Sequence, residues 1–254
     1  MYSISPNEQE LIDHIVHVSK NDILYGKAKC VESMGDYKTA MQMYEDVRTA
    51  RHSLTELLMS KAGAYILNTQ QTVLDEEESM ISSDVEIVNV SIAKIMFQMG
   101  HITDAVHLMS IAHKALVTLF GTHQGTPQPR HLYIADSYYV LGLLANAQGR
   151  YSDADDLYNK ALNMKEIILG MEHPHLATIL EAMSMNSLGP GYFHDASEWC
   201  NRAIEIRAVK FSKRSAILTY SLYNRAQILR DSNFLKDAHK HYEQALYFAK
   251  QHYT

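Results

Sequence analysis

Histidine and cysteine, the residues that most often bind metals or act as nucleophiles, are present but poorly spaced for either chemistry. The chain has 254 residues, with 14 histidines and two cysteines. His239 and His241 are two positions apart, so on a helix they face different ways, and no third ligand stands at a useful spacing. Neither Cys30 nor Cys200 has the nearby His and Asp that would activate a thiol. The sequence therefore predicts no metal, no cofactor and no catalytic residue.

Motifs of known enzymes are missing as well. The sequence has no glycine-rich phosphate loop, no His-Glu-x-x-His zinc motif and no Gly-x-Ser-x-Gly nucleophile turn. It also lacks a basic stripe for nucleic acid, because 23 basic and 29 acidic residues are interleaved and the net charge is −6. We therefore expect a protein that is not an enzyme and does not bind nucleic acid.

The clearest pattern in the chain is an internal repeat. Ala154, Ala196 and Ala238 are 42 residues apart, and each follows a turn residue, Gly or Asn, by five positions. Two more copies lie upstream, around Ala40 and Ala105. A fixed period of this length indicates one supersecondary unit that is copied and stacked. Stacked units present long surfaces rather than deep pockets, so the repeat favours binding over catalysis.

Each copy has the pattern of two helices joined by a tight turn. Apolar residues at spacings of three and four stand on both sides of the turn, as with Leu144 before Gly149 and Leu157 and Ala161 after it. Glycine suits the turn because helices commonly end on a residue with a left-handed backbone. The small alanines let the second helix pack closely. The pattern predicts an all-α fold of about five helix-turn-helix repeats.

This unit resembles the tetratricopeptide repeat, and its period is similar to that of the arrays in kinesin light chains and nephrocystin-3-like proteins. Residues 169–178, Leu-Gly-Met-Glu-His-Pro-His-Leu-Ala-Thr, are similar to the joint between light-chain repeats. The resemblance implies a right-handed α-solenoid whose first helices line a concave groove, which in that family binds peptide segments of partner proteins. The paired asparagines of light-chain grooves are not reproduced in repeats 3 and 4, where Tyr139-Val140 and Glu181-Ala182 stand. The heptad segment that joins light chains to heavy chains is also absent.

We predict a single array over residues 1–254. Its predicted parts are an N-terminal helix that caps the first repeat or completes a partial one (1–23), repeat 1 (24–60), an acidic insertion (61–83), repeat 2 (84–120), a loop (121–131), repeat 3 (132–170), repeat 4 (171–212) and repeat 5 (213–254). The insertion contains the acidic run 75–78. It is either an extended second helix followed by an acidic loop or a degenerate half-repeat. No polar capping helix follows Leu246, Tyr247 and Phe248, so a partner or further sequence is expected to cover them.

The resemblance also implies which positions of each first helix face the groove. We predict nine of these residues as partner contacts: Tyr25, Lys29, Lys94, Phe97, Tyr139, Asn146, Tyr220, Tyr223 and Arg230. Tyrosine occupies the fifth position in three of the five helices, and its flat apolar ring with a hydroxyl suits peptide recognition. The alternative is that these tyrosines pack against the preceding repeat. Four acids, Asp22, Glu32, Asp136 and Glu181, make the predicted groove mixed in charge.

The compartment follows from what the chain lacks. It has no run of 18 apolar residues that could span a membrane, and its first residues lack the basic and apolar regions of a signal peptide. Both cysteines fall at predicted core positions, which fits a reducing compartment. We predict a cytoplasmic adaptor that binds a protein partner's peptide segment in its groove. The alternative, a structural subunit of a cytoskeletal or ciliary assembly, rests on analogy with the two families.

Overall fold

Helix is the only regular secondary structure among the residues that this computed structural model describes, which are 6–65, 71–120, 131–210 and 216–252. The all-α fold predicted from the repeat is confirmed. The helices, in chain order, are α1 (Pro6–Ser33), α2 (Tyr37–Tyr65), α3 (Gln71–Gln98), α4 (Ile102–Phe120), α5 (His131–Ala147), α6 (Tyr151–Leu169), α7 (Pro174–Leu188), α8 (Phe193–Lys210), α9 (Ala216–Asp231) and α10 (Leu235–His252). They belong to two compact units, Met1–Gly121 and Thr122–Thr254.

The turns inside the five helix pairs share one backbone geometry. The turn residue has a φ between 65° and 86° in all of them: Gly35, Gly100, Gly149, Gly191 and Asn233. In the third turn the N–H of Gly149 donates to Asn146 at 2.8 Å and that of Arg150 donates to Ala145 at 3.0 Å. The other four turns repeat this pattern, which satisfies the last carbonyls of the first helix. The left-handed turn predicted at these positions is therefore confirmed.

The first unit contains α1 to α4, and its core lies between α1, α2 and α3. Ala28, Tyr44 and Ile92, one from each helix, are fully buried there. The repeat alanines Ala40 and Ala105 are buried too, which lets the second helices approach their neighbours closely.

In this unit α2 (Tyr37–Tyr65) is the extended second helix that was one of the two alternatives for the insertion, whereas two other features differ from the prediction. The N-terminal helix and the first helix of repeat 1 form one helix, α1, because no proline interrupts it and its Gly26 does not have a left-handed backbone. The acidic run 75–78 lies inside α3 rather than in a loop. Glutamate is a good helix former, and α3 contains neither glycine nor proline. Residues 66–70, between α2 and α3, lie outside the described residues.

The second unit contains α5 to α10, arranged as three helix pairs. Each pair packs as a hairpin, and in addition the first helices α5, α7 and α9 contact one another in order. Gly142 on α5 makes close packing possible, because a Cβ atom there would lie 2.5 Å from Cε1 of Tyr158 on α6. At the joint, His173 is the N-cap of α7, and its Nδ1 accepts from the N–H of His175 at 3.3 Å.

The two cysteines differ in environment. Cys200 is buried, as predicted, and burial raises the pKa of its thiol to about 12. Cys30 is exposed, so its predicted core position was wrong. It stands two residues after the buried Ala28 and therefore faces away from the core. Among the described residues, no helix is both long and apolar enough to cross a membrane.

Candidate functional site

In the first unit, Tyr25 of α1 lies between α2 and α3. Its hydroxyl is 3.1 Å from the Ser91 hydroxyl on α3, and its ring packs edge-on against Tyr44 of α2 with centroids 5.5 Å apart. The ammonium of Lys29 lies 4.8 Å from the centre of the same ring. Tyr25 is half-buried, so part of its ring remains available while its hydroxyl is held by the fold.

Lys94 is joined to the same surface by a hydrogen-bonded ion pair. Its Nζ lies 2.7 Å from Oε1 of Glu32, and the hydroxyl of the buried Tyr44 donates to Oε2 of Glu32 at 2.9 Å. Phe97 is half-buried and Lys29 is exposed. Of the four residues predicted as contacts in this unit, Lys29 is thus the one whose charge is most accessible.

In the second unit, Tyr139 of α5 packs against Tyr158 of α6, with ring centroids 6.1 Å apart. Burial raises the pKa of Tyr139, and the nearby Tyr220 and Glu181 raise it further. The same arrangement recurs 84 residues later, where Tyr223 of α9 packs edge-on against Tyr242 of α10 at 5.7 Å. Each of these two tyrosines therefore packs against the second helix of its own repeat.

The tyrosines of α9 are the exposed aromatic residues among the predicted contacts in this unit. Tyr220 is 55% exposed and Tyr223 is 45% exposed. The Tyr223 hydroxyl accepts from Nε2 of Gln227 at 3.2 Å. Arg230 is also exposed, and its Nε donates to Asp231 at 2.7 Å. Among the predicted contacts of this unit, the exposed aromatic rings thus belong to α9.

Asn146, at the end of α5, is held by a chain of hydrogen bonds that sets its orientation. The Tyr151 carbonyl can only accept, so Asn186 must present its amide nitrogen to it, at 2.9 Å. The carbonyl oxygen of Asn186 then accepts from Nδ2 of Asn146 at 2.7 Å. The Oδ1 atom of Asn146 receives no hydrogen bond from any described residue.

Buried cations on the second helices are the feature that sequence reasoning missed. The residue eleven positions after the repeat alanine is basic in three repeats: Arg51, Lys165 and Arg207. Each is only 7% exposed, and each pairs with an acid on a first helix: Asp22, Asp136 and Glu181, respectively. The other two repeats have Leu116 and Ala249 there. A basic residue at a position that is apolar in sister repeats was the available signal.

These pairs change how the mixed charge of the predicted groove is understood. All four acids that made it mixed have cationic partners within the fold, since Glu32 pairs with Lys94 and the other three pair with the buried cations. The anions remain unequal in exposure: the side chain of Asp136 is 48% exposed, whereas that of Glu181 is 4% exposed. Beside its pair with Arg207, Glu181 accepts from the Ser221 hydroxyl at 2.5 Å.

A small cavity of about 160 Å³ opens where α5, α7 and α9 meet. Its apolar wall comes from Leu143, Ala182 and Met185, with the ring of Tyr158 behind them. The polar lining residues are Tyr139, Asn146, Thr178, Glu181 and Tyr220. Three residues predicted as contacts on one face, Tyr139, Asn146 and Tyr220, therefore meet at one concave site.

A second feature lies at the start of α8. His194, Asp195 and Glu198 are exposed and can bring one ligand atom each within 4.8 Å of the others, and sequence reasoning had not singled them out. They occupy the first turn of a helix, where the helix dipole disfavours a cation. We assign no metal to them.

Comparison with known proteins identifies the repeat. The family model for the tetratricopeptide repeat matches residues 134–175, which span α5, α6 and the joint to α7. These residues are thus similar to a tetratricopeptide repeat, as the sequence pattern predicted. No curated protein matches the sequence.

Solved structures identify the fold. Crystallised TPR-like repeats of a kinesin light chain-type protein from Podosopora anserina share 14% identity, with 92% of this chain and 96% of that chain covered and a TM-score of 0.56. BtubC (BKLC) from P. vanneervenii shares 11% identity, with 92% and 90% covered and a TM-score of 0.58. At such identities the likeness concerns the fold alone. The chain thus has the fold of kinesin-light-chain-type tetratricopeptide proteins.

Proposed function

We propose that this protein is a non-catalytic adaptor that binds a peptide segment of a protein partner on the exposed face of its first helices. The observation that carries the proposal is the cavity between α5, α7 and α9, bordered by the exposed ring of Tyr220. Tyrosine supplies large contact area at low entropic cost, and binding energy concentrates where such a ring borders a pocket. The tetratricopeptide fold, generally a protein-interaction scaffold, supports the same function.

The nine predicted contacts differ in how accessible they are to a partner. Tyr220, Tyr223, Lys29 and Arg230 are exposed and available to a partner. Tyr25, Lys94, Phe97, Tyr139 and Asn146 are half-buried, and all of them except Phe97 have contacts within the fold given above. We propose that, within each of the two units taken separately, the exposed residues make the first contacts and the half-buried residues form the floor of that unit's binding face.

Photo-crosslinking tests this proposal at a chosen position. A photoreactive phenylalanine replaces Tyr220 in one version of the protein and Tyr192, a 62% exposed tyrosine at the turn before α8, in the control. In native lysate we expect Tyr220 to crosslink a defined protein through a short segment, and Tyr192 not to do so. In a pull-down without the photoreactive residue, Tyr220→Ala/Tyr223→Ala should abolish binding of that protein, whereas Tyr192→Ala should retain it. Equal capture by both variants would contradict binding at this face.

The second candidate is a structural subunit of a cytoskeletal or ciliary assembly. The observation that favours it is on α10, where Leu246 and Tyr247 are each 55% exposed. Exposed apolar neighbours of this kind are typical of permanent protein contacts. This function predicts that Leu246→Ser/Tyr247→Ser removes the protein from its native complex while Tyr220→Ala/Tyr223→Ala does not. For either function we propose a cytoplasmic location.

A further inference from the structure

We propose that the cavity between α5, α7 and α9 binds one basic side chain of the partner, lysine or arginine. The aliphatic part of that side chain would pack on Leu143, Ala182 and Met185, and its cationic end would meet Glu181 and Asn146. This inference rests on the proposed function and names the chemistry of the segment that the site selects.

The size of the cavity sets the first limit on its occupant. At about 160 Å³ it is smaller than a typical site for a metabolite or cofactor. It has room for a single side chain, entering from an extended segment that lies along the first helices. An apolar wall and a polar end fit a side chain with a hydrocarbon stem and a polar tip.

The acceptor oxygens at the polar end of the cavity favour an occupant that donates hydrogen bonds. Arg207 and Ser221 both donate to Oε1 of Glu181, and no described residue donates to Oε2. The Oδ1 atom of Asn146 also receives no hydrogen bond from a described residue. The amide nitrogen of Asn146 donates to Asn186, whose own amide nitrogen donates to the Tyr151 carbonyl. A carboxylate oxygen and an amide oxygen therefore remain to accept from the occupant.

The charges around the cavity favour a cation over a neutral donor. Glu181 lines the cavity, whereas its partner Arg207 does not and lies behind it on α8. Outside the cavity lining, Asp136 on α5 is half-exposed and its partner Lys165 on α6 is buried. Both pairs thus place the anion on a first helix and the cation on a second helix. The rings of Tyr139 and Tyr220 add faces that attract cations.

Apolar and acidic side chains do not fit the cavity as well, because they do not donate hydrogen bonds to Glu181 and Asn146. An apolar side chain would remove water from Glu181 and Asn146 without replacing their hydrogen bonds, which is costly. An acidic side chain would place a second carboxylate beside Glu181. A lysine or arginine satisfies both oxygens and keeps its stem on the apolar wall.

The test uses the full chain and four libraries of end-blocked nonapeptides that differ only in a fixed central residue: lysine, arginine, norleucine or glutamate. We expect the immobilised protein to retain the lysine or arginine library about tenfold more than the norleucine library, as charge-assisted hydrogen bonds of moderate strength would give. The lysine and arginine arms show which cation is preferred. Equal or stronger retention of norleucine or glutamate would overturn the inference.

A charge-matched variant separates this site from general attraction of cations to an acidic protein. Glu181→Gln/Arg207→Gln removes one charge of each sign, so the net charge of −6 is unchanged. We expect its preference for basic over norleucine peptides to fall to about onefold. Persistence of the full preference in the folded variant would contradict the inference.

A second variant keeps the test decisive if the amide pair does not fold. Ala182 is half-buried and lines the cavity, so Ala182→Leu fills the space without changing charge. It should abolish the basic preference, and an unchanged preference would overturn the inference. Binding that depends on Tyr220 and Tyr223 but shows no basic preference would overturn this inference alone. Failure of every peptide library to bind would overturn the proposed function with it.

Discussion

Lys165 and Asp136 form an ion pair in which the cation is buried and the anion is half-exposed. The Nζ atom lies 2.6 Å from Oδ1, and the side chains are 9% and 48% exposed. Arg207, at the same place in the next repeat, pairs with Glu181, and these side chains are only 8% and 4% exposed. The cations of the two pairs thus occupy the same position of the repeat, but their anions differ in exposure to water.

This difference predicts unequal effects of removing the cation. Arg207→Met leaves a buried carboxylate without its counterion and should lower the free energy of unfolding by about 3–5 kcal/mol. Lys165→Met leaves Asp136 in contact with water and should cost no more than about 1 kcal/mol. Urea unfolding followed by circular dichroism measures both. Equal losses would show that burial of the anion does not control the contribution of the pair.

Two glycines that face tyrosine rings predict different tolerance of a methyl group. A Cβ at Gly142 would overlap Tyr158, which is fully buried and cannot move aside, so Gly142→Ala should cost about 1–3 kcal/mol. A Cβ at Gly189 would overlap Tyr151, but that ring is 37% exposed and can turn into solvent. Gly189→Ala should therefore change stability by less than about 0.5 kcal/mol. Thermal unfolding of both variants decides, and a larger loss at Gly189 would refute the steric explanation.

Gly26 and Gly35 test the backbone alone, because a Cβ would meet no atom within 4 Å at either position. Gly35 has a φ of 82°, so Gly35→Ala should destabilise the protein by about 1–2 kcal/mol. Gly26 lies within α1, and Gly26→Ala should stabilise it by about 0.5–1 kcal/mol. Chemical unfolding should show shifts of opposite sign. If both substitutions changed the stability in the same direction, the backbone angle φ would not explain the difference between the two positions.

Asp36 predicts a dependence of stability on pH. Hydrogen bonds with the side chain and the backbone of Thr39 lower the pKa of Asp36, whose Oδ1 accepts from the Thr39 N–H at 3.1 Å. The unfolded chain then takes up this proton at a higher pH than the folded chain does. The contribution of the ionised cap is therefore present above the ordinary pKa of aspartate and is lost as the pH falls through the lowered folded value.

The matched variant for this prediction is Asp36→Asn, which can still cap the helix but does not titrate. The stability of the wild type relative to Asp36→Asn should fall as the pH is lowered from about 6 to about 2. Urea unfolding at a series of pH values measures the difference. A difference that is constant over this range would exclude Asp36 as the titrating group.

Much of the fold could be predicted because the residues that define the repeat act on their neighbours in sequence. Glycine or asparagine at the turns and the buried alanines five residues later are demanded by backbone geometry and close packing, which act over a few residues. The continuity of α1 and the start of α3 could not be predicted in this way. There the helices extend beyond the repeat, and no glycine or proline marks where α3 should begin.

The sequence by itself determined the helix pairs and their turns, because period and turn chemistry are properties of neighbouring residues. Only the tertiary structure decided what the side chains of the first helices contact. Tyr139 and Asn146 are held by partners from other helices, and Glu181 is committed to Arg207, 26 residues away in sequence. Such contacts depend on how helices pack, and the spacing of residues along one helix does not specify them. The cavity beside Tyr220 exists for the same reason, since its walls come from four helices, α5, α6, α7 and α9.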